Sequence, residues 1–414
     1  MSNKTNKLIP ELRFPEFMND GDWEKKTIAA ISNSKSSSMA LNKLELKQTG
    51  YPVYGADSIV GYIDEYQQEE KYISIVKDGS GVGRLNLCES HSSILGTLAC
   101  LKSKNERQYN LVWFYYLLNT VDFSVYVKGA GIPHIYYSDF KSEDIAVPNP
   151  QEQQKIASCL SSLDEVIAAN KQKLDTLKAH KKGLMQNLFP QEGETVPNYR
   201  FPEFENDGEW VEEGIQSLIH KKFIVGHLDG NHGALYPKAE EFSKDGIPYI
   251  TANDFISGII NFSKCKFLPV NRAKQFKKGV AKNGDILFAH NATVGPVAKL
   301  LTSFPYVILS TTATYFRCDN ENLINDFLLY ALSSPSFVKQ YTRVMSQSTR
   351  NQVPITTQRQ FNLQIPKPFE QQKIASCLSS LDALITEKTK QFEQLKLHKK
   401  GLMHGLFPKK QDLK

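Results

Sequence analysis

The sequence predicts an α+β protein: two globular regions of mixed strand and helix, separated by two long helices that pair as an antiparallel coiled coil, with an internal pseudo-twofold repeat. Three observations lead there. Residues 153–190 (QQKIASCLSSLDEVIAANKQKLDTLKAHKKGLMQNLFP) return as residues 371–408 (QQKIASCLSSLDALITEKTKQFEQLKLHKKGLMHGLFP), with 24 of 38 positions identical, and such self-similarity governs every local reading. RFPEFMNDGDW at 13–23 returns as RFPEFENDGEW at 200–210, nine of eleven alike. Between these segments the halves have diverged, and the main remnant is IVKDGSGVG (75–83) against LFAHNATVG (287–295). A chain of 414 residues holds two or three domains of ordinary size. The repeat divides it into a first variable region (1–150), a central helix (151–190), a second variable region (191–368) and a C-terminal helix (369–414).

In the first variable region the β-branched and apolar runs Tyr72–Val76 and Ile94–Leu101 predict strands, and Leu111–Leu118 predicts a short helix. The segment KDGSGVGR (77–84) follows a strand and is small and flexible enough to approach a ligand's backbone closely, which makes Lys77, Ser80 and Arg84 candidate contacts. KGAGIPHIYYSDF (128–140) offers Lys128, His134, Tyr136 and Tyr137 for groove or stacking contacts, with Ile132, Pro133 and Ile135 as a packing anchor. A phosphate loop of the nucleotide-binding type is excluded, since GSGVGR lacks both the third glycine of GxGxxG and a GK[ST] ending.

Pro148 and Pro150 mark the start of the central helix, because proline cannot continue a helix backward. Ile156, Leu160, Leu163, Ile167, Asn170, Leu174, Leu177, Lys181, Leu184 and Leu188 then step by four and three, the seam of a coiled coil. The C-terminal helix, opened by Pro366 and Pro368, keeps the register with Ile374, Leu378, Leu381, Ile385, Lys388, Phe392, Leu395, Lys399, Leu402 and Leu406. At 1.5 Å per residue such a helix spans about 57 Å and can serve as a spacer. Polar residues interrupt both seams at equivalent places, Asn170 with Lys388 and Lys181 with Lys399. They either fix the register or face solvent where the helices splay. Gly183 and Gly401, each costing about 1 kcal/mol against Ala inside a helix, suggest a helix end or a close backbone contact.

The second variable region predicts strands at Ile286–Ala289, Tyr306–Leu309 and Thr314–Arg317 and a helix at Phe327–Leu332. Its charge distinguishes it. Residues 1–190 hold 22 basic and 22 acidic side chains, so the whole formal charge of +6 lies in residues 191–414. Lys264, Lys266, Arg272, Lys274, Lys277, Lys278 and Lys282 follow one another with no acid before Asp285, and Phe327–Phe369 again contains no acid. Such stretches suit a phosphate backbone. Within the second, SQSTRNQVPITTQRQ (346–360) is dense in side chains that pair with base edges, arginine with guanine, asparagine and glutamine with adenine. Arg343, Gln347, Thr349, Arg350, Asn351 and Gln352 are the candidates there, with His290, Asn291 and Thr293 in HNATVG.

Several classes are excluded. No run of about 18 apolar residues is present to span a membrane, and the start lacks a secretory apolar core, so a cytoplasmic protein is expected. The six cysteines are scattered without a CxxC pair, which argues against both zinc and disulfides. There is no Walker A, HExxH, GxSxG or Asn/Asp-Pro-Pro-Tyr motif, hence no catalytic constellation and no metal site.

The layout has a likeness. Each long helix is entered through a proline-flanked Glu-Gln-Gln run (Pro148 to Gln154, Pro366 to Gln372) and ends in GLMxxLFP (Gly183 to Pro190, Gly401 to Pro408), and each half opens on RFPEF. In these motifs the chain resembles the specificity subunit of type I restriction-modification enzymes. The resemblance implies a non-catalytic subunit that binds a split, asymmetric DNA sequence, one variable region per half-site, with the helix pair setting the gap. It implies two modification subunits carrying S-adenosylmethionine for adenine methylation, and restriction subunits driven by ATP and Mg²⁺, with no cofactor on this chain. Two other classes compete: a self-contained nuclease or methyltransferase, and a coiled-coil scaffold that binds proteins only.

Overall fold

The computed structural model describes residues 8–347 and 350–413. The chain divides into two compact units, one of residues up to Gln172 with those from Lys390 onward, the other of Lys173–Thr389. Both divisions fall inside long helices, Pro150–Asn187 and Pro368–Leu406. Each unit therefore contains the beginning of one long helix and the end of the other.

In the first unit the strands are β1 (Glu24–Thr27), β2 (Ser32–Ser36), β3 (Tyr51–Tyr54), β4 (Ile59–Ile63), β5 (Tyr72–Val76), β6 (Leu85–Cys88), β7 (Ser93–Ile94), β8 (Leu98–Ser103) and β9 (Asp144–Val147). They form an antiparallel sheet β2-β8-β5-β6, a small sheet β4-β3-β7 and the pair β1-β9. Every residue of β5 is buried, including Ser74, whose hydroxyl accepts from the Cys88 thiol (3.4 Å). The run Ile94–Leu101 is two strands, because the chain changes sheets at Gly96, whose N–H donates to the Met39 carbonyl (2.7 Å). One core gathers Trp23, Ile73, Ile75, Trp113, Phe114 and Phe140 with Ile156 and Leu160 of the first long helix and Leu406 and Phe407 at the end of the second.

The second unit repeats the plan with larger sheets. Its strands are β10 (Val211–Gly214), β11 (Ile224–Asp229), β12 (Ile247–Ile250), β13 (Phe255–Ile256), β14 (Ile259–Ile260), β15 (Lys266–Leu268), β16 (Val280–Ala281), β17 (Ile286–Asn291), β18 (Thr293–Lys299), β19 (Val307–Leu309), β20 (Ala313–Cys318) and β21 (Asn362–Ile365). They are ordered β11-β20-β17-β18-β14-β13 and β15-β12-β19-β16, with β10 paired to β21. The predicted short helix lies at Asn325–Ala331, and a second, Pro335–Ser346, follows it, capped by the Ser334 hydroxyl. Leu188 and Phe189 take the place in this core that Leu406 and Phe407 take in the other, beside Ile374 and Leu378.

The repeated motifs are the joints of these units. Arg13 of the first RFPEF grips Glu152 with two bonds of 2.9 and 2.8 Å and donates to the Gly21 carbonyl; Arg200 grips Glu370 at 2.8 and 2.7 Å and donates to Gly208. The bidentate pairs are buried, each carboxylate side chain 1% exposed. Beside them Gln153 accepts from the Asn110 N–H and donates to the Gln108 and Pro148 carbonyls, and Gln371 does the same with Ile324, Asn322 and Pro366. The Glu-Gln-Gln run thus docks the start of each long helix onto its globular region. Pro150 and Pro368 occupy the first helical position, where the missing N–H is no loss.

All twenty seam positions are buried or half-buried. Lys181 and Lys399 do not splay into solvent. Lys399 binds Asp164 (2.5 Å), which also accepts from the Tyr116 hydroxyl (2.7 Å). Lys181 binds Asp382 (2.5 Å), which accepts from Tyr330 (2.9 Å). Each ammonium also lies over the tyrosine ring, at 5.2 and 5.4 Å. One Tyr–Asp–Lys cluster per unit therefore ties both long helices to the globular region's own helix. Asn170 instead satisfies its amide within its helix, on the Val166 carbonyl. Gly183 and Gly401 mark neither a helix end nor a close contact: the helices continue past both, and a Cβ at either would meet nothing within 4 Å.

Candidate nucleic-acid interface

In the first unit Lys77–Arg84 leaves the end of β5 and is laid against residues 128–135 by backbone pairing. Ile135 N–H donates to Lys77 O (2.8 Å) and Gly79 N–H to Pro133 O (2.9 Å), while Lys128 and His134 exchange bonds of 2.9 and 2.8 Å. Gly83 has φ +84°, and a Cβ there would lie 2.9 Å from the Phe123 Cβ, so this turn tolerates no side chain. Ser80, Arg84, Lys128 and Tyr136 are exposed and Lys77 and His134 half-buried. The His134 and Tyr136 rings lie 5.3 Å apart, Lys77 Nζ is 6.0 Å from the Tyr136 ring, and Lys128 is held by Asp139 (2.6 Å). Arg84 pairs with Asp57. Tyr137 turns inward: its hydroxyl donates to the Ser32 carbonyl (2.9 Å) and its ring packs on Phe140, which removes it from the contact surface. Of the predicted anchor, Ile135 is 1% exposed and Pro133 half-buried, whereas Ile132 is 71% exposed.

The second unit builds the same arrangement from different residues. Ala292 N–H donates to Asn351 O (3.0 Å), Asn351 Nδ2 donates back to Ala292 O (3.0 Å), and Val353 N–H donates to His290 O (2.8 Å). Asn291 stands opposite Gln352. Ala292 has φ +65°, a left-handed conformation that costs an alanine energy and is held by these bonds. Gly295 matches Gly83, with φ +118° and a Cβ position 2.8 Å from the Tyr341 hydroxyl. Thr293, Gln347, Arg350 and Asn351 are exposed and Gln352 half-buried. Thr349 lies outside the described residues. Arg343 belongs to the helix Pro335–Ser346, where it and Lys339 pair with Glu192. His290, 2% exposed, sits beneath the loop and presents nothing to a base.

The support under this loop pair was missed from the sequence. Gln358, fully buried, donates to the Val353 carbonyl (2.9 Å) and to Thr314 Oγ1 (3.2 Å) and faces His227 Nε2 (3.3 Å). Arg359 donates to His227 Nδ1 (3.4 Å) and its carbonyl (3.2 Å). Burial pushes the His227 pKa down to about 3, with the Arg359 charge acting the same way. The ring is therefore neutral at physiological pH. The only signal in the sequence was that Gln358 and Arg359 fall within the polar, acid-free run. Among the described residues no group of three His, Cys, Asp or Glu side chains could hold a metal ion, and no helix is long and apolar enough to cross a membrane.

Two loops, distant in sequence, polar and basic, thus meet at one sheet end in each of two units that share their helical joints but not their loop residues. Residues 20–179 and 225–397 match the type I restriction modification DNA specificity domain. The specificity subunit of the type I restriction enzyme MjaVIII of Methanocaldococcus jannaschii is 29% identical over 347 residues, 81% of this chain and 78% of that protein. The MjaX specificity subunit of the same organism is 26% identical over 422 residues, covering 93% and 92%. In three dimensions the chain is similar to the S subunit of the type I restriction-modification system of M. genitalium, with a TM-score of 0.68, 19% identity and coverage of 97% and 99%. The chain belongs to the type I restriction-modification DNA specificity family. Its members are recognition subunits and not the catalytic ones, working with DNA and with modification and restriction partners.

Proposed function

We propose that the chain reads a split, asymmetric DNA sequence, one half-site through the loop pair 77–84 and 128–137, the other through 290–295 and 347–352. The observation that carries this reading is the backbone pairing of those loops: it holds Lys128, His134 and Tyr136 in one unit, and Thr293, Arg350, Asn351 and Gln352 in the other, on a rigid sheet end with different chemistry in each. Such side chains read base edges and stack on bases. Residues 1–150 and 191–368 are the recognition regions, and the helices of 151–190 and 369–414 set the spacing between half-sites. The two ends of the long helices and the RFPEF segments stay nearly identical while the loops diverge, which suits two copies of one partner: two modification subunits that carry S-adenosylmethionine and methylate adenine. Restriction subunits using ATP and Mg²⁺ complete the complex, acting on DNA in the cytoplasm.

The test is to replace residues 1–150 by the corresponding region of another family member and map methylated adenines in a host carrying the modification subunits. One half-site changes and the other stays. Methylation at unchanged sequences would remove readout from that region. A scaffold that binds proteins only would show no salt-sensitive binding to duplex DNA.

A further inference from the structure

Beyond the loop pairs, the second unit has a cleft of 390 Å³ lined by Asn231, His232, Leu235, Phe276, Lys277 and Lys278. It opens at the same sheet end as the loop 290–295. The turn joining β19 to β20 touches both: Asn291 Nδ2 reaches Thr311 O (3.5 Å) and His290 N–H donates to Thr312 O (3.0 Å) on one side, while Gly230 N–H donates to Ala313 O (3.2 Å) and His232 Nε2 bonds Leu309 O (2.7 Å) on the other. The cleft's shape is fixed by close backbone packing. A Cβ on Gly230 would lie 2.1 Å from Leu309 O, and one on Gly279, at φ +61°, would lie 2.8 Å from the Gly230 Cα. The His232 ring packs edge-on against Phe276 at 4.4 Å, and both line the cleft.

The charge at the mouth is uncompensated. Lys277 and Lys278 are exposed, as are Lys264, Lys266, Lys274 and Lys282 nearby in sequence, and among the described residues none of the six has a carboxylate at ion-pair distance. Elsewhere in this unit Lys221, Lys299, Lys339, Lys367 and Lys373 are paired, while Lys222, Lys238 and Lys244 stand exposed singly or in twos rather than in a run. The first unit has a smaller cleft at the corresponding place, of 270 Å³, lined by Lys35, Ser36, Ser37, Ser38, Gln67 and Gln68, with one lysine. Its small sheet follows the same pattern, β3 parallel to β7 and antiparallel to β4 as β12 is to β19 and β15. Residues 48–70 there hold Asp57, Asp64, Glu65, Glu69 and Glu70 and no lysine or arginine, with Asp57, Asp64 and Glu70 paired to Arg84, Lys47 and Lys102.

We propose that the Lys277–Lys278 cleft is a sugar–phosphate site, which binds the DNA backbone beside the half-site read by 290–295 and 347–352, and that the first unit's corresponding cleft, with one lysine, contributes less. The proposal rests on the DNA reading above. It makes the second unit the source of the larger, sequence-independent share of the grip, since each phosphate neutralised releases condensed counterions.

The test measures binding of the full-length chain, alone and with its modification subunits, to duplexes with and without the mapped methylation site, across about 50 to 200 mM salt. The Lys277→Gln/Lys278→Gln variant is expected to lower the magnitude of the log K against log salt slope by about 1.8 on both duplexes. It then loses about twelvefold less affinity over that range than the wild type. The methylated sequence stays the same, and Lys277→Arg/Lys278→Arg keeps the wild-type slope. A glutamine variant with an unchanged slope, or with a changed half-site, overturns the proposal while leaving DNA recognition intact. A wild-type chain that binds no duplex in either form overturns the DNA reading itself, and the cleft with it.

Discussion

Single residues here divide into those that hold the scaffold and those that face outward, and the two respond differently to substitution. Glu370 is 1% exposed and takes both arms of Arg200 and the indole N–H of Trp210 (3.3 Å). Removing it leaves a guanidinium buried without its partner. Glu370→Ala is expected to lose about 3 to 5 kcal/mol of second-unit stability in denaturant titration; a loss below about 1 kcal/mol would show that water reaches the site. His227 predicts a pH dependence. Its folded pKa, down to about 3, lies below the unfolded value near 6.5, so the unfolded state binds the extra proton between those values. The stabilisation is complete above pH 6.5 and declines as the pH falls toward 3, by about 2 kcal/mol at pH 5. His227→Gln should flatten the fall of melting temperature between pH 7 and 5, and an unchanged profile would count against a buried neutral ring. Arg350, exposed on the loop proposed to read bases, is expected to act on binding: Arg350→Ala costs about 1 to 3 kcal/mol of binding and relaxes choice at one base position. Weakening uniform over all sequences would make it a phosphate contact.

The long helices are the elements whose residues answer to two demands. Their inner stripe is a heptad seam, and the Tyr–Asp–Lys clusters fasten that seam to a globular region in each unit. A polar residue at a seam position specifies register at some cost in stability, and the paired aspartates explain why Lys181 and Lys399 sit there. If the helices set the gap between half-sites, inserting one heptad into each, at Asn170 and at Lys388, adds about 10 Å, or about three base pairs at 3.4 Å each. Mapped methylation sites should then keep both half-sites and gain that spacing. Sites with the original spacing would assign the gap to something other than the helices.

At the scale of the whole molecule, each unit is completed by chain from the other half of the sequence. In the second unit the end of the first long helix runs on through residues 188–200 into RFPEF. In the first unit the same junction is non-covalent, with Leu12 N–H donating to Gly405 O (2.8 Å), Lys25 to Leu413 O (2.6 Å), and Lys409 pairing with Glu11. Leu406 and Phe407 are 4% and 3% exposed in the first unit's core. A chain ending at Gly405 is therefore expected to lose protection in residues 8–172 in hydrogen exchange while the second unit's core keeps its own. Equal loss in both units would mean that they unfold as one.

The sequence by itself determined the duplication, the two long helices with their proline starts and seams, the strands β5, β7, β8, β17, β19 and β20, and the polar segments proposed to read bases. All of these are local or repeat with a fixed period, and periodicity survives in a linear string. Only the tertiary structure decided which segments meet. It showed that the Glu-Gln-Gln run and RFPEF are one ion-pair joint and that the seam lysines have aspartate partners. It also showed that loops far apart in sequence share an edge, that His290 and Tyr137 turn inward, and that Gly183 and Gly401 mark nothing. The same limit hid Gln358 and the Lys277–Lys278 cleft. Burial and pairing depend on contacts between residues whose separation in the chain has no pattern, so a residue's chemistry is legible from its letter and its exposure is not.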